Sequence, residues 1–599
     1  MRIALPAAAA ALAAAIAGAV LMAPADAATA APLPVPATGR PHLATTSKAE
    51  LTDRVRDAVE TDARTGGTAP LAGATVGKSP AAGSRAASGS SSATIDPKII
   101  GGTPTSMTTA PWMAQLWYDD DRGTADEGDD IGFFCGGTVV APTKILTAAH
   151  CVSHYNWHAH GVVLTGTAQL ADTDGGTLSP VQRQWSHPSY NASTIDNDIA
   201  VLTLPDPVKA KPVPITTSND TASYAAGTNA KVYGWGRTSS TSEDISDVLR
   251  VATVPINSSA TCSGFWGGDY IAGHMVCAGK PATGSDTGTT ASCNGDSGGP
   301  LIVNNKVVGV VSWGVENCVE AGAYSVFTKV STYVGATYPR IDDANLNWDH
   351  NADLFARRSS DLTGFEYDSK GTYFKPRKSL GYWGGLNLLI QADLDRDGNQ
   401  DFLIRDSSTG DVEWGHYVLR GGSWKWTWTL LFDNWKTRTR IIAPGDMTGD
   451  GLPDVLSVDS GGKLWLYPGL GNGKFSGRKQ VGTSKAWNAY NMLAGHGDLS
   501  GDGRADLLAR STSGSAVYVL KGTGNAAAPL AARVKVRTWS IYNRFAAVGD
   551  ITGDGKADFL ARTSGGTLRL YPGTGKATSD IFGTPVTIGT GWQQYGILG

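Results

Sequence analysis

The chain runs to 599 residues, too long for one folding unit at roughly 100–200 residues per domain. Its 50 basic and 54 acidic residues leave a net charge of −4, which excludes the electrostatic footprint of a nucleic-acid or anionic-membrane binder. All six cysteines fall between positions 135 and 318; the count is even and no short Cys-x-x-Cys unit is present, so disulfides are expected in preference to zinc.

In chain order, Met1-Arg2 leads into an alanine-rich apolar run to Met22, and Ala25-Asp-Ala27 offers small residues around a cleavage point after Ala27. Residues 1–27 read as a secretory signal peptide rather than a membrane anchor. No second apolar run of about 20 residues follows, so a secreted, extracellular form without a membrane span is expected. Residues 28–98 are rich in Ala, Gly, Ser, Thr and Pro, with one short helical candidate at Ala49–Arg64. Such a stretch buries too little apolar surface to offset its ordering entropy. It reads as a propeptide, the alternative being a linker that stays attached.

From Pro111 to about Val330, short runs rich in Val, Ile and Thr alternate with Gly-, Pro- and Asn-containing turns; Gly137–Val140, Lys144–Thr147, Ile199–Leu204, Ala230–Tyr233 and Lys306–Trp313 are examples. That spacing predicts an antiparallel barrel or sandwich, with Thr328–Tyr338 as a closing helix. The acidic run Asp119–Asp121 with Asp126, Glu127, Asp129 and Asp130 reads as a solvated loop. Three fragments carry chemistry: Thr147-Ala-Ala-His-Cys151, Asp196-Asn-Asp-Ile-Ala-Val-Leu202 and Ser292-Cys-Asn-Gly-Asp-Ser-Gly-Gly-Pro-Leu301. A serine hydroxyl attacks at neutral pH only with a base against it and a third group orienting that base. The three fragments supply Ser297, His150 and Asp198 for those roles.

With Ile99-Ile-Gly-Gly102 and Gly234-Trp-Gly236, these fragments resemble the chymotrypsin/trypsin family of serine endopeptidases over roughly residues 99–340, and the order His150, Asp198, Ser297 is the one found there. The resemblance implies an all-β fold of two packed six-stranded barrels that hydrolyses protein or peptide substrates with no cofactor for catalysis. It implies backbone donors at Gly295 and Ser297 for the oxyanion. Six cysteines allow 15 pairings; the resemblance selects Cys135–Cys151, Cys262–Cys277 and Cys293–Cys318. It further implies cleavage between Lys98 and Ile99, after which the new ammonium pairs with buried Asp296. Where trypsin-like members carry an aspartate at the floor of the specificity pocket, this chain has Ala291, with Ser312, Gly314 and Ser325 as walls. A substrate cation there lacks a countercharge, so cleavage after apolar or aromatic residues is expected unless Asp286, Glu316 or Glu320 reaches in. An apolar pocket makes self-activation after Lys98 unfavourable and calls for a separate activating protease.

Beyond Pro339 cysteine vanishes and a motif recurs: Asp393–Asp401, Asp446–Asp454, Asp498–Asp506 and Asp550–Asp558, at offsets of 53, 52 and 52 residues, with a degenerate copy at Asn345–Asp353. This period and about four short strands per unit predict a β-propeller over 341–599, of five blades, with Trp592–Gly599 closing the ring on the first unit. The motif resembles FG-GAP/VCBS repeats, which bind calcium. Asp393, Asp395, Asp397 and Asp401 are the fullest ligand set. Asp446, Asp450 and Asp454, then Asp498, Asp502 and Asp506, then Asp550, Asp554 and Asp558 lack the carboxylate at the third position; a metal-free Asx turn is the plain alternative. Trp414, Trp424, Trp465 and Trp539 read as blade packing rather than sugar platforms. The propeller is expected to bind a surface or polymer or to stabilise the enzyme. The competing reading of the chain is a calcium-dependent adhesion protein with a vestigial protease domain.

Overall fold

The computed structural model describes residues 46–65 and 99–599, apart from 125–128, 219, 243, 343–345, 348, 350, 398, 421–422 and 483–485. The signal-peptide segment, Lys98, Asp126, Glu127 and Asn345 lie outside the described residues.

Two antiparallel sheets of seven strands each form the first folded unit. In the first, Met113–Asp120 pairs on one side with Ile131–Ala141 and on the other with Gly161–Thr165. Alternation of Leu116, Phe133, Val139, Ile145 and Val163 into the interior, each under 1 % exposed, is what curls the sheet around a core. In the second, Asn229–Gly234, Pro300–Val303 and Lys306–Trp313 run side by side, with Val232, Leu301, Val308 and Phe327 inside. The two-residue strand Thr103–Pro104 adds an edge to this sheet, one reason it holds more than six strands. The disulfides are Cys135–Cys151, Cys262–Cys277 and Cys293–Cys318.

Composition argued against burial upstream of residue 98, yet Lys48–Thr65 forms a helix against the first barrel. Leu51, Val55 and Ala58, spaced four and three residues apart on one face, join the barrel core. Gly132 permits the approach, since a Cβ there would lie 2.4 Å from Thr61. The local pattern outweighs the average of the surrounding segment.

Five four-stranded sheets follow, a five-bladed propeller. In the second to fifth blades the repeat loop joins the innermost strand to the second. The terminal strand Tyr595–Leu598 pairs antiparallel with Leu354–Arg358 and becomes the innermost strand of the first blade. Ring closure thereby removes the open edges. The helix Val330–Ile341 closes the barrels and lies against the propeller face from which the repeat loops emerge. There Ser218 donates through N and Oγ to the carbonyl of Asp502, at 3.2 and 2.8 Å. Arg396 pairs with Asp342, and a Cβ on Gly503 would meet Val334 at 1.9 Å. No helix among the described residues is long and apolar enough to cross a membrane.

Candidate active site

His150 sits in the one-turn segment Ala149–Cys151, pinned by the Cys135–Cys151 bridge. Its Nδ1 lies 2.8 Å from Asp198 Oδ2, and its backbone N–H donates to Asp198 Oδ1 at 2.8 Å. The carboxylate, 0 % exposed, also accepts from Ser312 Oγ at 2.6 Å. Thr328 Oγ1 donates to the Asp198 carbonyl at 2.6 Å. A carboxylate that accepts at Nδ1 fixes the tautomer in which Nε2 carries the free lone pair. Ser312, expected as a pocket wall, thus also positions Asp198. Thr328, read from the sequence as the first residue of the closing helix, lies instead in the buried strand Ser325–Lys329, and the helix begins at Val330.

Ser297 is brought to this corner by backbone contacts. Its carbonyl accepts from Gly136 N at 2.7 Å, next to the bridged Cys135. Gly298 has φ +81°, and a Cβ on it would fall 2.1 Å from Thr147 Oγ1, so the loop approaches the histidine strand only with glycine there. Gly295, at φ +91°, packs against Gly236 and Ile245 in the same way. The turn occupies the amides of Asp296, Gly298 and Gly299 with the carbonyls of Cys293, Val311 and Asp296.

Asp296 is fully buried and accepts from Gly236 N at 2.8 Å and Cys293 N at 2.9 Å. Burial nevertheless pushes its carboxyl up to about 7, because two amides compensate a desolvated charge incompletely. A Cβ on Gly234 or Gly236 would fall 2.1 or 2.5 Å from this carboxylate, which is the physical content of the Gly-Trp-Gly fragment. Ile99, 0 % exposed, joins the second barrel core. Ile100 O accepts from Ala291 N at 3.0 Å.

At the pocket positions, Ala291 is buried, Ser325 Oγ accepts from Ser292 N at 3.0 Å, and space for a side chain remains open at Gly314. Asp286 is held by Ser239 Oγ at 2.8 Å and Ser240 N at 2.9 Å. Glu316 is exposed.

Among the described repeat loops, the one at Asp393–Asp401 brings carboxylate oxygens of Asp393, Asp395 and Asp401 within 4.8 Å of one another. Burial and the mutual repulsion of the carboxylates raise Asp401 well above the ordinary range and Asp395 to about 7. Asp401 Oδ2 accepts from Leu394 N and Trp414 Nε1 at 3.0 and 2.8 Å, while its Oδ1 is buried without a hydrogen-bond partner. That donor set fits a hard cation. Elsewhere the first aspartate of the loop faces backbone amides: Asp446 those of Gly449 and Gly451, Asp498 those of Gly501 and Gly503, and Asp550 those of Gly553 and Gly555, all at 2.6–2.7 Å. Lys521 stands 3.0 Å from Asp502 and Lys556 3.2 Å from Asp554.

Two half-barrels with their junction arranged in this way define the class: a serine endopeptidase of the chymotrypsin-like fold. Residues 99–336 match the family model described as Trypsin, and residues 393–457, 446–509 and 498–561 match the FG-GAP-like repeat. A protein named Trypsin from Saccharopolyspora erythraea is 38 % identical over 244 residues, 41 % of this chain and 98 % of the relative. Trypsin I-P1 of Gallus gallus is 34 % identical, covering 40 % and 87 %, and Trypsin-3 of Salmo salar 33 %, covering 40 % and 90 %. The chain belongs to the trypsin family, with FG-GAP-like repeats forming a propeller after the peptidase unit.

Proposed function

We propose that the chain is an exported serine endopeptidase in which Ser297 is the nucleophile, His150 the general base and Asp198 the orienting carboxylate. The reading rests on one observation above all: the two-point grip of Asp198 on His150, at Nδ1 and at the backbone amide, both 2.8 Å. In this mechanism His150 Nε2 takes the Ser297 proton as Oγ attacks the peptide carbonyl, then returns it to the leaving amine. Asp198 stabilises the imidazolium, and the amides of Gly295 and Ser297 receive the oxyanion. Cleavage after Lys98 by another protease supplies an Ile99 ammonium to Asp296, whose poorly compensated burial is what such a cation relieves. The pocket favours apolar or aromatic residues, because Ala291 offers no countercharge and Asp286 is held by Ser239 and Ser240. Asp393, Asp395, Asp397 and Asp401 are the residues that would hold calcium in the propeller, where the ion would supply rigidity rather than catalysis.

A fluorophosphonate probe on the secreted protein tests the core of this reading. Labelling is expected in the parent and absent in Ser297→Ala. Equal labelling of both would move the nucleophile elsewhere, and no labelling of the processed parent would favour an adhesion protein with a vestigial peptidase unit.

A further inference from the structure

The fifth blade is entered by a connection whose tryptophan packs beneath rings of the blade it enters. Trp539 lies 4.9 Å from Tyr571 and 5.9 Å from Phe582, and the hydroxyls of Tyr542 and Tyr571 pair at 2.5 Å. In the first blade the same positions are held by Trp592, Tyr367, Phe374 and Tyr595. Trp592 lies 4.8 Å from Tyr367 and 6.4 Å from Phe374, and the hydroxyls of Tyr367 and Tyr595 pair. The backbone repeats too: Thr574 N donates to Ile581 O at 3.0 Å, and Lys370 N to Tyr373 O at 2.9 Å. Phe582 then bridges to Gly573 as Phe374 does to Ser369.

The two blades differ at several positions: the fifth carries a loop four residues longer between Thr574 and Ile581 than the first has between Lys370 and Tyr373, and Pro585 and Ile541 stand where the first blade has Arg377 and Gln594. Ile581 is 0 % exposed within the fifth blade's ring cluster; its counterpart Tyr373 is 60 % exposed. Where isoleucine plugs the fifth blade, the first keeps an open recess of about 340 Å³, lined by Tyr367, Tyr373, Phe374 and Trp592 together with Arg377 and Gln594. That volume lies at the small end of ligand sites.

Aromatic faces beside a guanidinium and a carboxamide suit a ligand that has one apolar face and a rim of hydroxyls. We propose that this recess is a carbohydrate site, taking a hexopyranose unit of a polysaccharide with its C–H face on the rings and its hydroxyls toward Arg377 and Gln594. Arg377 donates from Nη1 to the Tyr595 hydroxyl and Gln594 from Nε2 to the Gly591 carbonyl, so both are held at the recess, and a proline ring would use only the aromatic faces. The assignment does not depend on the peptidase reading.

The test uses the full chain carrying Ser297→Ala, to prevent self-digestion. Retention on insoluble cellulose, chitin and starch is measured alongside calorimetric titration with cellobiose, chitobiose and maltose. One polysaccharide is expected to retain the protein, and the matching disaccharide to titrate at one site per chain. Tyr373→Ile, which installs the residue of the plugged blade, is expected to weaken binding at least tenfold with the unfolding midpoint preserved, and Arg377→Ala several-fold. Failure of all three sugars, undiminished binding by a folded Tyr373→Ile variant, or tighter binding of a proline-rich decapeptide than of any disaccharide would each overturn the proposal.

Discussion

Arg340 of the closing helix donates from Nη2 to the carbonyl of Gly553 at 2.6 Å and lies 3.4 Å from Asp550 in the last repeat loop, both side chains 5 % exposed. The peptidase thus places a guanidinium in a loop whose sequence suggests a metal. Removing one partner of a buried pair strands the other, at a cost of about 3–5 kcal/mol. Arg340→Met and Asp550→Asn are each expected to uncouple the two units, splitting one calorimetric transition into two. The double variant should lose less than the sum of the singles, by about 1–3 kcal/mol. Strict additivity would mean that the pair does not couple the units.

The floor of the pocket carries a second expectation. Chromogenic peptides ending in Phe or Leu should be cleaved with higher kcat/KM than one ending in Arg. Ala291→Asp should invert that order by at least tenfold, since a buried carboxylate compensates a substrate cation. Arg preferred tenfold by the parent would mean that a charge enters the pocket from a loop that the structure holds away.

Much of this was legible in the chain because the signals are local. His150 is flanked by the bridged Cys151, the Ser297 turn is fixed by its glycines, and the repeat period is independent of tertiary detail. What was not legible depends on partners far apart in sequence. Thr328 reaches Asp198 across 130 positions and Ser218 reaches Asp502 across 284, and neither residue type nor spacing announces such a contact. The helix Lys48–Thr65 was legible as the candidate Ala49–Arg64, but its docking on the barrel was not, because segment-wide composition masked a single apolar face.

That face is the basis of a stability expectation. Leu51 is 3 % and Val55 1 % exposed within the barrel core. Leu51→Ala in the unprocessed chain should destabilise the peptidase unit by about 2–5 kcal/mol, as for other buried leucines. Urea unfolding measures it. A change under 0.5 kcal/mol would show that the helix contributes nothing to the fold.

Asp296 sets a pH dependence. Its carboxyl is raised by burial from 3.8 to about 7, so the folded chain holds a proton that the unfolded chain releases. This contribution is fully present below about pH 4 and is lost as pH rises through about 7, with a slope approaching 1.4 kcal/mol per unit. In the chain with the Lys98–Ile99 bond intact, stability relative to Asp296→Asn should therefore fall between pH 4 and 8. Processing at Ile99 should abolish the slope by supplying an ammonium. Parallel pH profiles for the intact parent and Asp296→Asn would remove the electrostatic reason for activation.

The indole of Trp414, donating from Nε1 to Asp401 Oδ2 at 2.8 Å, provides a reporter for the repeat loop best suited to a cation. A lanthanide bound there lies close enough to an excited tryptophan to emit. Terbium added to the metal-free chain is therefore expected to luminesce on indole excitation, and calcium to quench the signal by competition. Asp401→Asn and Trp414→Phe should each reduce it, the first by weakening binding and the second by removing the donor. Calcium at 100 times its dissociation constant should stabilise the propeller by about 2.7 kcal/mol, visible as a higher Tm that chelator reverses. Emission unaffected by either substitution would place the ion in another loop, and an unchanged Tm with no emission would leave the Asp393–Asp401 turn as an Asx turn held by its own amides.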